Sequence, residues 1–394
     1  MSQHLLVTSV WPAALIVAAL LAFAALIVRT SSFYNQLTTT ESASGSRFHA
    51  IDGLRGYLAL SVFFHHAVIS FYYYRNGRWD LPPSQFYSNI GQAGVALFFM
   101  ITAFLFWNKG LHRPPSFETS SFFWSRLTRL TPMYVFSVLS VLFVACVLTN
   151  FEMHGPIADL ISSAVSWGSF ALIEPRDFNG YKNTWIINGV YWTLKYEWLF
   201  YFFLPFGLIF CRGAGFALMF AIAAAVIQLF STRPVEWYFL AGALAAVLNE
   251  KYKVRSTINW NSPPITLTLV ATIAYLAFMA PHIYTPASAV LLFICFFCIT
   301  NGNDLFGLLS LKSSRFLGII SYSLYLLHCT ILFIVLRAVN KLAPIEKMPP
   351  EYYWAVVAFC AAVTLMVSSI TYRLIEHPWM RAKMPAWLAS NSYR

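Results

Sequence analysis

Residues 51–68, IDGLRGYLALSVFFHHAV, form an apolar run long enough to cross a bilayer, yet it opens on Asp52 and Arg55 and carries two histidines at mid-depth. An ionisable group inside a span is costly without a partner or a task, so this helix marks a functional site. Arg55 and His66 are eleven residues apart. At 3.6 residues per turn they share one face, about 16 Å apart along the axis. His65 points about 100° away from that stripe. The spacing therefore places a base deep in the membrane with a cation below it to grip something anionic.

The rest of the chain agrees with a membrane setting. Of its 394 residues, 59% are hydrophobic and only 10% charged, which excludes an ordinary soluble domain. The expected fold is an all-α polytopic membrane bundle of about eleven transmembrane helices plus one interfacial amphipathic helix. A net charge of +11 would suit nucleic acid on a soluble face, but here the cations fall in loops. No nucleic-acid partner is expected. The six cysteines lie in or beside apolar stretches, so neither a disulfide framework nor a metal site is expected.

Spans are expected at about 5–28, 51–72, 94–107, 132–149, 188–210, 214–230, 237–248, 265–280, 287–300, 316–336 and 353–372. Residues 1–29 form an extra N-terminal span, 30–50 a Ser/Thr-rich cytoplasmic linker, 51–380 the main membrane domain and 381–394 a cytoplasmic tail. Residues 109–129 read as a basic inner loop. Within 156–173, Asp159, Ser162, Ser163, Ser166 and Ser169 make one polar stripe, which suggests a helix lying on the outer surface. Placing that helix on the surface puts the N-terminus outside, the C-terminus inside and most Lys and Arg in inner loops.

Three further places carry chemistry. Arg126 and Arg129, spaced i, i+3, are neighbours if helical and suited to clamping phosphates; ordinary positive-inside arginines are the alternative. Glu197 lies inside the apolar run 188–210, with Lys195 on nearly the opposite side. Ser321, Tyr325 and His328 share one face of 316–336. A proton-coupled transporter or flippase would also use intramembrane His and Glu, but two related halves with broken helices are not visible.

The residues DGLRG followed by His66, Trp192-Thr193-Leu194 with Glu197, the SYSLYLLH string and the ending at Glu376 and Pro378 resemble the acyltransferase 3 family. These are integral membrane O-acyltransferases that move acyl groups from acyl-CoA to extracytoplasmic sugars and related acceptors. The chain departs from the family where an Asp and a Ser-Gly pair are usual, having Ala96, Thr102 and Ala103. It also has one acid, Glu197, where many relatives have two.

The resemblance implies acetyl-CoA or another acyl-CoA as donor, with no metal, and a glycan or glycolipid acceptor at a prokaryotic inner membrane. It implies His66 as general base with Glu197 orienting it or binding the acceptor, a direct transfer or an acyl-histidine both being open. Arg55, Arg126 and Arg129 would hold the cofactor's phosphates. Asp52 would partner Arg55 at i+3, and Tyr325 and His328 would support the acceptor side. His65 is expected to pack.

Overall fold

The computed structural model describes residues 6–43, 48–112, 119–231, 234–253 and 258–385. The expected inner cations Arg47, Arg113, Arg255 and Arg394, the outer Arg233, and most of the expected tail 381–394 lie outside these residues. Among the described residues the helices are, in order, α1 (Trp11–Thr30), α2 (Ser32–Ala43), α3 (His49–Asn76), α4 (Gln85–Leu111), α5 (Thr119–Leu148), α6 (Ile157–Gly168), α7 (Trp192–Ile209), α8 (Gly213–Phe230), α9 (Trp237–Lys253), α10 (Pro263–Phe278), α11 (Pro286–Thr300), α12 (Lys312–Ile319), α13 (Ser321–Leu342), α14 (Pro350–Thr371) and α15 (His377–Met380). Helices occupy every stretch read as a span. Seven of them are long and apolar enough to cross a membrane by length and composition, and α10 and α11 are shorter apolar helices. On α8, Leu218, Ile222, Val226 and Leu229 are all at least half exposed, a surface that only lipid would solvate favourably.

Several boundaries differ from the sequence expectation. The stretch 30–50 is not a plain linker: α2 lies within it, with Tyr34 edge-on to Phe316 at 4.8 Å and Thr38 fully buried. Within α2 no Pro or Gly interrupts the helix, and tertiary packing supplies what weak propensity lacks. The loop expected at 109–129 is largely helical, because α4 runs to Leu111 and α5 starts at Thr119 with Pro132 in its interior. Arg126 and Arg129 thus sit on a helix. Residues 316–336 are split between α12 and α13.

The chain forms two compact units. The first comprises Met1–Arg113, Phe206–Ser321 and Ile345–Ala358, the second Pro114–Pro205, Tyr322–Pro344 and Phe359–Arg394. In the first unit α3 is the central element. Its 28 residues extend about 42 Å at 1.5 Å per residue, longer than a ~30 Å hydrocarbon core. It ends where Gly77 adopts a left-handed conformation, φ 67°, with its N–H bonded to the Tyr73 carbonyl. Helices α4 and α12 pack along α3, and α9 packs on α4. Close approach is built from small residues: a Cβ on Gly318 would strike the Asp52 carbonyl, and one on Gly53 the Leu309 carbonyl. At the α4–α9 seam a Cβ on Gly242 would meet the Met100 carbonyl and Ala103, which is fully buried. That accounts for a small residue at position 103.

In the second unit, α6 packs on α5. The middle of its polar stripe faces the protein, while Asp159 at its start is exposed: Ser163 Oγ donates to the Asp177 carbonyl at 3.0 Å, Ser166 is buried, and Trp167 Nε1 donates to the Arg176 carbonyl at 2.7 Å. The opposite stripe, Ile157, Ile161 and Val165, is 67%, 57% and 58% exposed. An apolar stripe turned outward suits a helix seated in the bilayer interface. A nitroxide or fluorophore on a cysteine at position 161 is expected to be quenched by shallow lipid-borne quenchers in vesicles. One at position 163 is expected to be shielded from them; equal quenching at both would contradict the orientation.

Candidate active site

In the first unit, Asp52, Arg55, His65 and His66 all lie on the unbroken helix α3. Asp52 and Arg55 are half-buried near its start, where Gly56 lets α12 come close at Leu317. The Tyr57 hydroxyl is 2.9 Å from Ser314 Oγ, which donates to the Leu308 carbonyl at 2.8 Å. Next to Ser314, Arg315 is 4% exposed, so a second guanidinium is buried in α12.

The two histidines have different surroundings. His65 Nδ1 is 2.8 Å from the Tyr87 carbonyl, and its ring fills the space a Cβ on Gly91 would need. A carbonyl only accepts, so Nδ1 carries the proton. His65 is thus committed to joining α3 to α4. The His66 ring is buried and lies nearly parallel to Trp79, 28° between planes and 6.2 Å between centroids. Its backbone carbonyl accepts from Ser70 Oγ at 2.8 Å. Trp79 carried no signal in the sequence, because it lies in the loop after α3 and is brought to His66 only by the turn beyond Gly77.

The second unit holds Arg126, Arg129, Glu197, Tyr325 and His328. Glu197 and Tyr201 are one turn apart on α7, and the Tyr201 hydroxyl donates to Glu197 Oε1. Arg126, on α5, is hydrogen-bonded to the same hydroxyl. Two residues that the sequence assigned to different tasks therefore meet through a third. The i, i+4 relation of Glu197 and Tyr201 was the available signal. Arg129 stands beside Arg126 on α5, and its charge acts on it.

Tyr325 and His328 are one turn apart on α13. The Tyr325 hydroxyl is 2.9 Å from Thr193 Oγ1, so the Trp-Thr-Leu segment and the SYSLYLLH segment meet. His328 is fully buried and its Nδ1 faces the Tyr325 carbonyl at 2.8 Å and the Leu324 carbonyl at 3.2 Å. By the same logic Nδ1 is protonated, and Nε2 is the acceptor, 3.4 Å from Cys329 Sγ. Beside them Asn188 Nδ2 donates to the Leu326 carbonyl at 2.6 Å and lies 3.2 Å from Thr330 Oγ1. Ser137 Oγ is 2.6 Å from the Tyr191 hydroxyl. Replacing Asn188 by Leu is expected to destabilise the fold by about 1 kcal/mol, since the buried Leu326 carbonyl loses one donor and keeps Ser137 Oγ at 3.0 Å as its other side-chain partner. A thermal shift no larger than that of a surface control would contradict this.

Near the end of the chain, Glu376 is fully buried and accepts from Ser323 Oγ at 2.8 Å. The family-like ending is thereby tied to the start of α13.

Comparison with known proteins gives this arrangement its context. A family described as an acyltransferase domain matches residues 48–373. Nodulation protein 10 of Rhizobium leguminosarum bv. viciae is 25% identical over 379 residues, covering 88% of this chain and 96% of that protein. No solved structure matches the chain significantly. The match extends from the start of α3 through the last long helix and includes every residue named above as a site candidate, so the chain belongs to the acyltransferase 3 family of membrane acyltransferases.

Proposed function

We propose that the protein is an O-acyltransferase that takes an acyl group, acetyl foremost, from cytoplasmic acyl-CoA and places it on a hydroxyl of an extracytoplasmic carbohydrate or glycoconjugate. The observation that carries this reading is a buried histidine, His66, on the same unbroken helix and the same face as Arg55, within a matched acyltransferase domain. Acyl transfer to a hydroxyl needs a group that removes the hydroxyl proton as attack begins, and a neutral imidazole suits that task. In this reading His66 is the general base. The hydroxyl oxygen attacks the thioester carbonyl and the CoA thiol departs. Arg55, Arg126 and Arg129 hold the phosphates by charge-assisted hydrogen bonds, with Asp52 a partner of Arg55. Glu197 serves the catalytic histidine or the acceptor, and Tyr325 and His328 support the acceptor.

The N-terminus is outside, the C-terminus inside, and the membrane is a prokaryotic inner membrane in the same reading. The test is thioester cleavage by purified protein in lipid, with acetyl-, butyryl- and octanoyl-CoA and a membrane-glycan extract as acceptor source. Release of free CoA that rises with the extract is expected, fastest with acetyl-CoA. No release from any donor, with or without extract, would overturn the reading.

A further inference from the structure

Tyr201 is 1% exposed and stands at the meeting point of α5 and α7. Its hydroxyl donates to Glu197 and accepts from Arg126. The ring is held from two sides, edge-on to Phe122 at 5.7 Å and to Trp198 at 5.8 Å, so the hydroxyl has little freedom to leave this position. A hydroxyl that donates to an anion and accepts from a cation at once is polarised by both, and each bond strengthens the other. Arg126 and Glu197 therefore do not act independently.

We propose that Tyr201 is a positioning residue that couples anion binding at Arg126 to the state of Glu197. The proposal rests on the reading of Arg126 as a holder of the acyl donor's phosphates. The Arg126 guanidinium is shared between the Tyr201–Glu197 pair and any phosphate that arrives. When a phosphate takes up that cation, Tyr201 accepts less from Arg126, donates less to Glu197, and the carboxylate is released toward other donors. Donor binding would in this way change Glu197 before chemistry begins. Coupling of this kind is reciprocal, so the charge on Glu197 must also set the affinity for the anion. Arg129, next to Arg126, adds like charge that favours sharing Arg126 with an anion.

The test is a double-mutant cycle read by CoA binding to the full-length protein in lipid nanodiscs, with CoA itself as the probe. Glu197→Gln is expected to tighten CoA about fivefold in the wild-type background, because it frees Arg126, a coupling within the 5–150-fold range usual between linked sites. In the Y201F background the same substitution is expected to change affinity by less than about twofold. Tyr201→Phe keeps the ring and its packing, so a purely structural role would not remove the dependence on Glu197. An equal effect of Glu197→Gln in both backgrounds overturns the coupling while leaving the phosphate reading of Arg126 standing. Unchanged CoA affinity in Arg126→Gln overturns that reading and the coupling with it.

Discussion

His66→Ala is expected to lower acyl transfer about 10²–10⁴-fold, the usual worth of a positioned general base, while leaving the protein folded and binding CoA. The reasoning rests on the contrast with its neighbour. His65 holds α4 through the Tyr87 carbonyl and is packed against Gly91. His65→Ala is therefore expected to destabilise the fold by about 1–3 kcal/mol, leaving one buried acceptor without its donor, and to reduce yield. Activity per folded molecule is expected to stay close to wild type. The measurement is CoA release normalised to the folded fraction from size-exclusion chromatography. Wild-type turnover in His66→Ala would remove His66 from the mechanism, and a loss in His65→Ala as deep as in His66→Ala would reverse the roles.

Gly318→Val is expected to destabilise the α3–α12 junction by about 3 kcal/mol, at the upper end for overpacking. The obstacle is backbone, since a Cβ there meets the carbonyl of Asp52, which no rotamer change can move aside. Relief requires α3 and α12 to separate. Arg55, one turn beyond Asp52 on the same helix, would move with it, so loss of CoA affinity should accompany the loss of stability. Gly77→Ala is the fitting comparison. Its φ of 67° makes a side chain strained, but nothing lies within 4 Å of the added Cβ, so the cost should be near 1 kcal/mol. Thermal unfolding in one lipid system orders the two. A Gly318→Val protein that melts with or above Gly77→Ala would mean the helices part without penalty.

Much of the site was legible because helical periodicity is a one-dimensional property. The shared face of Arg55 and His66, the divergence of His65 and the one-turn spacing of Tyr325 and His328 all follow from 3.6 residues per turn. So does the amphipathic character of 157–168, although which stripe faces the protein does not. In a membrane protein the lipid takes the apolar side, and Ser163 and Ser166 turn inward to backbone partners.

Helix ends were the weaker part. The span expected from Pro132 begins earlier: Pro132 lies inside α5, six residues beyond Arg126. A proline in a long apolar helix removes one hydrogen bond, and neighbouring packing can compensate. The break between α12 and α13 left no mark in the apolar run, and it lies two residues beyond Gly318, which packs against the Asp52 carbonyl of α3.

Composition and spacing alone determined that this chain is a helical membrane protein with a buried histidine in register with an arginine, because hydropathy and helical period depend only on residues near in sequence. Only the tertiary structure decided that His65 joins α3 to α4 through the Tyr87 carbonyl, and that Arg126 and Glu197 share Tyr201. Those facts depend on hydrogen-bond partners far apart in the chain, and no local pattern encodes which carbonyl or hydroxyl a folded helix will bring within 3 Å.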